Sequence, residues 1–326
     1  MSVKLAEANV AAKEPRKEFC ETLLAMAAED ERVVVLDADL SASTKTALFR
    51  EEYPDRFFNC GIAEQNMMGV AAGLASMGYT PFASSFAMFA TGRAYDQIRN
   101  SIAYPKLNVK IVASHAGLSV GEDGASHQMC EDIALMRAIP NMVVINPSDD
   151  VEACAAVRAA YAHNGPVYIR VSRLATPVFH DPSAYTFEIG KAEKLTEGFD
   201  IAVFSTGLMT SEALRAAVAC KKQGINVRVI NVPTIKPLDE EAVLHAAREC
   251  LRVLTVEEHS VIGGLGDAVA SLLGEKMPTP IWRMGVQDRF GTSGPAWDVL
   301  REYGLTAESI TAKIMEIVRT PKPNEE

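Results

Sequence analysis

The sequence predicts an α/β fold made of two mostly parallel-sheet domains. Short apolar runs, typical of strands buried on both faces, alternate with helix-like segments along the chain. This periodicity fails between residues 174 and 185, where Pro177 and Asp181-Pro182 interrupt it, and a second series then begins. We therefore expect one domain over residues 1–178, a linker over 179–189 and a second domain over 190–326.

The composition is typical of a globular protein and argues against a nucleic-acid or membrane role. Of the 326 residues, 48% are hydrophobic and 23% charged, and the net charge of −10 comes without any basic run. No uninterrupted apolar stretch reaches the ~20 residues that a membrane span needs, and Met1 to Lys17 show no apolar signal segment. The six cysteines are widely spaced and read as reduced thiols, so we expect a cytoplasmic protein.

The first domain is predicted to alternate strands and helices from its first helix onward. The expected strands are 33–36, 57–58, 80–85, 108–114, 142–145 and 167–171, and the expected helices are 18–29, 43–52, 64–77, 92–103, 131–137 and 149–162. Ligands of parallel sheets bind at the carboxyl ends of the strands. Five residues that follow such ends are therefore expected to share one site: Asp39, Glu64, Phe86, His115 and Arg173.

The second domain is predicted to be smaller and of the same class. Its expected strands are 187–194, 201–205, 227–232, 253–257 and 280–284, and its expected helices are 211–223, 240–249, 266–274 and 307–319.

Glu64 lies in the stretch Asn59-Cys-Gly-Ile-Ala-Glu-Gln-Asn66, at the junction between a strand and a helix. Free N–H groups and the helix dipole favour a carboxylate on a first turn, which explains the residue without any function. The alternative is an acid buried at a cofactor, and the other motifs decide between the two.

A glycine-rich loop runs from His115 to His127 and carries these two histidines together with Asp123. Its three glycines let a ligand approach the backbone closely. The wide spacing and the lack of a cysteine argue against a metal site formed by His115, Asp123 and His127.

Aromatic and cationic residues follow other strands. Phe86 and Phe89 could clamp a flat heterocycle, although such pairs also occur in ordinary cores. Arg170 and Arg173 are expected to point to opposite faces. Arg173, and with less weight Arg16, could grip phosphate or carboxylate or could form surface ion pairs.

Taken together, these motifs resemble the transketolase family of thiamine-diphosphate enzymes over nearly the whole chain. Gly61-Ile-Ala-Glu64 resembles the motif of the cofactor-binding glutamate in that family, and residues 121–128 resemble its GEDGPTHQ motif, with Ala125-Ser126 in place of Pro-Thr. The segments Asp37-Ala-Asp-Leu40, Ser172-Arg173 and Ile235-Lys-Pro-Leu238 fit as well. The resemblance implies a pyrimidine-binding domain up to about Val178, followed by a transketolase C-terminal domain.

The family's GDG…N motif, which grips the cofactor diphosphate and Mg²⁺, does not occur in this sequence. The resemblance therefore implies the C-terminal half of a split transketolase. An N-terminal subunit would supply the diphosphate and Mg²⁺ site, and an α2β2 heterotetramer is expected.

The resemblance also implies a role for each matching residue. Glu64 would share a proton with the cofactor's pyrimidine ring, and His127 would bind substrate hydroxyls and shuttle protons. Asp123 would bind an acceptor hydroxyl. The pyrimidine would lie against Phe86 and Phe89, and the sugar phosphate would be held by Arg16, Ser43, His115 and Arg173. Gly92 stands where many family members have a third aromatic, a tyrosine, and Tyr95 is a candidate to compensate.

The main hypothesis is a subunit that transfers a two-carbon glycolaldehyde unit from a ketose phosphate to an aldose phosphate, in the pentose phosphate pathway or another route of carbohydrate metabolism. A 1-deoxyxylulose-5-phosphate synthase is the closest alternative, because Ile62–Gln65 and Tyr95–Gln97 also resemble motifs of that enzyme. A pyruvate dehydrogenase beta-like subunit and a non-catalytic partner subunit also stay open.

Overall fold

A seven-stranded sheet forms the centre of the first half of the chain. The computed structural model describes residues 11–321; the outer ends of the two expected domains and the beginning of the segment searched for a signal peptide lie outside them. The strands are β2 (Val33–Asp37), β3 (Phe57–Asn59), β4 (Thr80–Phe86), β5 (Lys110–Ser114), β6 (Val143–Ile145), β7 (Val167–Val171) and β12 (Thr234–Lys236). Their order is β12-β6-β7-β5-β4-β2-β3, and all pairs are parallel except β12 with β6.

Helices cover both faces of this sheet, as the continuous apolar strands predict. They are α1 (Pro15–Glu29), α2 (Ser41–Thr44), α3 (Ala47–Glu52), α4 (Glu64–Ser76), α5 (Asp132–Ala138) and α6 (Asp150–Ala162). One face packs on α1 and α6 through Phe19 and Val157, and the other packs on α4 through Met67 and Met68. Each face therefore has its own apolar core.

The second half contains a five-stranded sheet. Its strands are β9 (Glu193–Lys194), β10 (Ile201–Ser205), β11 (Val227–Asn231), β13 (Val253–Ser260) and β14 (Ile281–Val286). Their order is β14-β13-β10-β11-β9, and all are parallel except β9. Its helices are α7 (Met209–Lys221), α8 (Glu240–Cys250), α9 (Leu265–Lys276), α10 (Ala296–Glu302) and α11 (Ala307–Val318). The predicted fold class, α/β with two mostly parallel sheets, is confirmed.

The two halves are interlocked. Strand β12 belongs to the second half by sequence but extends the first sheet, where Thr234 pairs with Ile145. A two-stranded ribbon, β1 (Ala12–Lys13) with β8 (Thr176–Pro177), ties the start of the first half to its end. Neither β12 nor the ribbon is predicted by sequence periodicity, because both are too short to show one.

Three predicted elements differ from the structure. The helix predicted over 43–52 is broken at Lys45, which has φ +71°, into α2 and α3. The helix predicted over 92–103 is replaced by two π-helical segments, Met88–Arg93 and Gln97–Ala103. The strand predicted over 187–194 is reduced to β9, because Gly190 has φ +87° and the Ala192 N–H donates to the Asp239 side chain instead of a neighbouring strand (3.0 Å). Within residues 11–321, no helix has the length and apolar character to cross a membrane.

Candidate active site

Glu64 begins helix α4, immediately beyond the carboxyl end of strand β3. The connecting turn is held by the Cys60 N–H, which donates to the Asp37 carbonyl (2.9 Å), and by the Gly61 N–H, which donates to Asn59 Oδ1 (3.0 Å). Gly61 has φ +70°, which a glycine adopts without strain. The Glu64 residue is only 4% exposed and lies at the carboxyl edge of the first sheet.

The Glu64 carboxylate binds Arg93, whose Nη1 lies 3.1 and 3.3 Å from its two oxygens. The Arg93 guanidinium carbon also lies 4.1 Å from the centre of the Phe89 ring. This side chain is 49% exposed, so it covers the acid from the solvent side. Arg93 has no role among the sequence-based predictions. Its position directly after Gly92, where a third aromatic is expected, is the signal that could have identified it.

Phe86 and Phe89 lie nearly parallel, with ring centres 5.9 Å apart and planes 15° apart. His115 stacks on Phe86 with ring centres 3.8 Å apart, and His127 meets Phe89 edge to face at 5.2 Å. The structure thus brings the aromatic pair together with both histidines of the glycine-rich loop.

Three residues surround the position where a third aromatic is expected: Gly92, Arg93 and Tyr95. Gly92 is exposed, and a Cβ at this position would lie 2.8 Å from the Met88 methyl carbon. Tyr95 is half-buried and packs against the core of the first sheet. It is Arg93 that lies on the Phe89 ring.

Next to the aromatic pair, Arg16, Ser43, His115 and Arg173 form a cluster that we call the anion pocket. Arg16 donates to the Ser43 carbonyl (2.7 Å), and its Nη1 lies 3.5 Å from His115 Nε2. His115 Nδ1 lies 2.9 Å from Ser114 Oγ. Burial, reinforced by the charges of Arg16 and Arg173, lowers the His115 pKa to about 3. Its imidazole is therefore neutral near neutral pH, and the positive charge of the pocket comes from arginine.

Arg173 connects the anion pocket to the glycine-rich loop. It donates to the Val120 carbonyl and pairs with Glu122 (3.0 Å), whose side chain is 62% exposed. Gly121 has φ +79°, and a Cβ there would lie 3.2 Å from Arg173 Nη1, which explains the glycine. Asp123 is exposed on this loop.

His127, the second histidine of the loop, accompanies the aromatic pair rather than the anion pocket. Its Nδ1 lies 2.9 Å from Ser126 Oγ. Within residues 11–321, no group of three or more His, Cys, Asp or Glu side chains is placed to hold a metal ion.

The second half of the chain holds the glycine-rich loop in place, which the sequence does not predict. The Gln128 side-chain amide donates to the carbonyls of Leu118 (3.2 Å) and Thr292 (2.9 Å). The Glu258 carboxylate accepts from the Ser119 N–H, and a Cβ at Gly117 would lie 2.4 Å from it. The loop is therefore packed between both halves of the chain.

Behind the loop, Asp132, Tyr168, Arg170 and Glu258 form a buried cluster that we call the interface network. The Arg170 Nε donates to Asp132 Oδ2 (2.8 Å), its Nη2 donates to the Glu258 carbonyl (2.8 Å), and Tyr168 donates to Asp132 Oδ2 (2.6 Å). Arg170 lies in strand β7 and Arg173 lies two residues beyond its end, and the two side chains enter different surroundings, as predicted.

Comparison with known proteins agrees with this architecture. Residues 12–178 match the model of the transketolase pyrimidine-binding domain, and residues 190–310 match the transketolase C-terminal domain. The chain therefore belongs to the transketolase family. It is 52% identical to a putative transketolase C-terminal section from Methanocaldococcus jannaschii, over 92% of this chain and 95% of that protein.

Two further relatives are informative. The chain is 45% identical to the 6-deoxy-6-sulfo-D-fructose transketolase subunit SqwH of a Clostridium species, over 93% of this chain and 94% of that protein. A solved structure described as a split gene transketolase, inactive beta4 tetramer, is 49% identical, with a TM-score of 0.87 over 94% of this chain and 98% of that one. The predicted resemblance to a transketolase C-terminal half is confirmed.

Proposed function

We propose that this chain is the pyrimidine-binding subunit of a thiamine-diphosphate-dependent transketolase. It would transfer a two-carbon glycolaldehyde unit from a ketose phosphate to an aldose phosphate. The observation that carries this proposal is the contact between Phe86 and His115, because it joins the Glu64 and aromatic site to the anion pocket at one edge of the sheet. We propose that the pyrimidine-binding unit extends to about Val178 and that the second unit begins at about residue 190.

The residues around Glu64 fit the flat ring of such a cofactor. In this structure the place against the Phe89 ring and the Glu64 carboxylate is taken by a planar nitrogen-rich group, the Arg93 guanidinium. A pyrimidine ring bearing an amino group is also planar, and it could occupy the same place with a ring nitrogen that accepts a proton held by Glu64, where the guanidinium donates to the carboxylate. Because Arg93 is half exposed, its side chain can leave without disturbing the core.

Each residue then has a defined task. Bound thiamine diphosphate supplies an electron sink for breaking and forming a carbon–carbon bond next to a carbonyl. Glu64 would hold a proton against a ring nitrogen, and Phe86 and Phe89 would exclude water from one side of the ring. His127, which contacts Phe89, would bind substrate hydroxyls and move a proton, and Asp123 would bind a hydroxyl of the acceptor.

The anion pocket would hold the far end of the sugar. Arginine suits phosphate because its fork of N–H groups matches two oxygens. Arg16 and Arg173, with neutral His115 and Ser43, would fix the phosphate so that the substrate carbonyl meets the cofactor in register. A loosely held counter-ion, the exposed Glu122, supports this role because a substrate phosphate can displace it.

We propose further that an N-terminal transketolase subunit completes the site and supplies most of the diphosphate and Mg²⁺ ligands, in a cytoplasmic α2β2 assembly. The names of the relatives support this, since one is a C-terminal section and another is an inactive tetramer of beta chains. The chain also exposes apolar side chains beside the site, among them Ile62, which is 77% exposed two residues before Glu64.

A coupled assay tests the proposal. This chain, alone and mixed with a candidate N-terminal subunit, is supplied with thiamine diphosphate, Mg²⁺, xylulose 5-phosphate and ribose 5-phosphate. We expect activity in the mixture only. Activity from pyruvate and glyceraldehyde 3-phosphate instead would identify a 1-deoxyxylulose-5-phosphate synthase, and oxidative decarboxylation of pyruvate would identify a pyruvate dehydrogenase-like enzyme. Activity from the chain alone would contradict the split site.

A further inference from the structure

Beside the anion pocket lies a cation that has no assigned role, Lys45. Its Nζ lies 3.7 Å from Glu14 Oε2, and Arg16 Nη2 lies 3.5 Å from the same oxygen. One carboxylate thus bridges a residue of the pocket and Lys45. The Lys45 charge is also among those that lower the His115 pKa, after burial, the two arginines and His127, which agrees with its position beside the pocket.

The backbone holds Lys45 in position. It ends helix α2 in a left-handed conformation with φ +71°, which is uncommon outside glycine. The turn is fixed on both sides by buried Asp37, which accepts hydrogen bonds from the hydroxyls of Thr44 (2.8 Å) and Thr46 (2.9 Å). Lys45 therefore projects from a rigid turn that also carries Ser43.

The counter-ions of these cations are held weakly. The Glu14 side chain is 43% exposed and that of Glu122 is 62% exposed, and ion pairs of exposed groups contribute little to stability. Since His115 is neutral, the positive charge comes from Arg16, Lys45 and Arg173. Both carboxylates can move into solvent when a ligand anion enters.

We propose that Lys45 is a specificity-determining residue, which binds the terminal anionic group of the substrate in place of Glu14 and favours a phosphate dianion over a sulfonate monoanion. The inference rests on the proposed function of the anion pocket. An ammonium group is a point charge without a fixed fork of donors, so its affinity for an anion depends more on the charge of the anion than on its geometry. Its attraction to a ligand grows with the ligand's charge, and its removal weakens the binding of a dianion more than that of a monoanion.

Calorimetry on the assembled complex at pH 8 tests the proposal with two probes, inorganic phosphate and methanesulfonate. We expect Lys45→Met to weaken phosphate binding about tenfold and methanesulfonate binding about threefold, within the range of charge-assisted contacts. Glu14→Gln is expected to tighten phosphate binding about threefold, because it removes a competing carboxylate. The matched control is Lys17→Met, since Lys17 lies on the same helix as Arg16 but pairs with Glu21 (3.3 Å).

The kinetic readout separates specificity from catalysis. In an active complex, Lys45→Met should raise the KM for the ketose phosphate by a similar factor and leave kcat within about twofold, the pattern of an interaction made equally in ground and transition states. Phosphate affinity in Lys45→Met equal to that of Lys17→Met would overturn the inference, as would an equal loss for both probes. If the mixture lacks transketolase activity but phosphate and methanesulfonate affinities change as stated, the proposed reaction fails while the role of Lys45 stands.

Discussion

Asp132 and Glu64 are both buried carboxylates that bind an arginine, but their arginines differ. Arg170, the partner of Asp132, has a side chain only 5% exposed and also binds a carbonyl of the second half. Arg93, the partner of Glu64, is 49% exposed and rests on an aromatic ring. An ion pair surrounded by other buried groups stabilises one arrangement of the chain, whereas an ion pair with an exposed member leaves room for a ligand. The same contrast separates Arg170 from Arg173.

The largest effect is expected at the ion pair with the exposed arginine, Glu64 with Arg93. Replacing Glu64 by Gln keeps the shape of the side chain but removes its acidity, and by Ala removes it entirely. Both variants should lower kcat of the assembled complex by about 10³-fold or more, because a positioned acid or base contributes roughly 10²–10⁴-fold and the cofactor contact is lost as well. Steady-state kinetics with saturating thiamine diphosphate measure this.

The control for that prediction is Glu21→Gln, an exposed acid on helix α1, which should behave as wild type. Near-normal activity in Glu64→Ala would mean that the chain is a non-catalytic partner.

For the buried ion pair, Asp132 with Arg170, we expect substitution to reduce stability rather than catalytic activity. Arg170→Met leaves Asp132 buried without its cation, and breaking a buried pair costs about 3–5 kcal/mol. We expect a corresponding drop in the free energy of unfolding, measured with denaturant. The double variant Arg170→Met, Asp132→Leu should recover part of the loss, because one of the two buried carboxylates that face Arg170 is removed with it and only Glu258 is left without its cation. A stability unchanged in Arg170→Met would show that the interface network does not hold the halves together.

Arg173→Met sharpens the comparison, since it removes an arginine three residues further along. Its ion pair with exposed Glu122 contributes less than about 1 kcal/mol and its hydrogen bond to the Val120 carbonyl about 1–2 kcal/mol, so the loss of stability should stay below that of Arg170→Met. The KM for the ketose phosphate should instead rise about 10- to 100-fold, as expected for the loss of a charge-assisted contact. A large destabilisation with an unchanged KM would mean that Arg173, like Arg170, stabilises the fold and does not bind the substrate.

Much of the fold could be predicted from the sequence because its signals are local. Buried parallel strands such as Val33–Asp37 are continuous apolar runs, and helices such as Asp150–Ala162 begin with an acidic capping residue. The sequence-based predictions were wrong or missing where contacts between distant residues determine the structure. The break at Lys45 depends on Asp37, which binds hydroxyls on both sides of it, and β12 is a strand only because β6 offers its edge.

The candidate site follows the same rule. Residues at strand ends, such as Glu64, Phe86 and His115, could be placed together because parallel strands end at one edge. Arg93 and Lys45 could not, because their positions depend on a π-helical segment and on a left-handed turn. The support of the loop by Gln128 and Glu258 depends on packing between residues more than a hundred positions apart.

The smallest effect is expected at a second buried cluster, His180 with Asp149 and Glu193. It joins the segment between the two sheets to both halves of the chain. His180 is buried, with Nδ1 2.9 Å from Asp149 Oδ1 and Nε2 2.8 Å from Glu193 Oε2. Burial alone lowers the His180 pKa, but the hydrogen bonds to these two carboxylates and the charge of nearby Glu152 outweigh it and raise the pKa to about 10. A histidine whose pKa is raised on folding stabilises the protein fully below its unfolded pKa of about 6.5. That contribution is lost as the pH rises toward 10.

His180→Gln should therefore lower the free energy of unfolding by about 1–3 kcal/mol at pH 6 and by less at pH 9. Denaturant unfolding of both proteins across that range measures the difference. The control is His245→Gln, a histidine whose side chain is 61% exposed, and its stability should follow wild type at every pH. If the gap between His180→Gln and wild type is constant with pH, the imidazole is not held charged by its two carboxylates, and the cluster is then a packing contact without an ionic component.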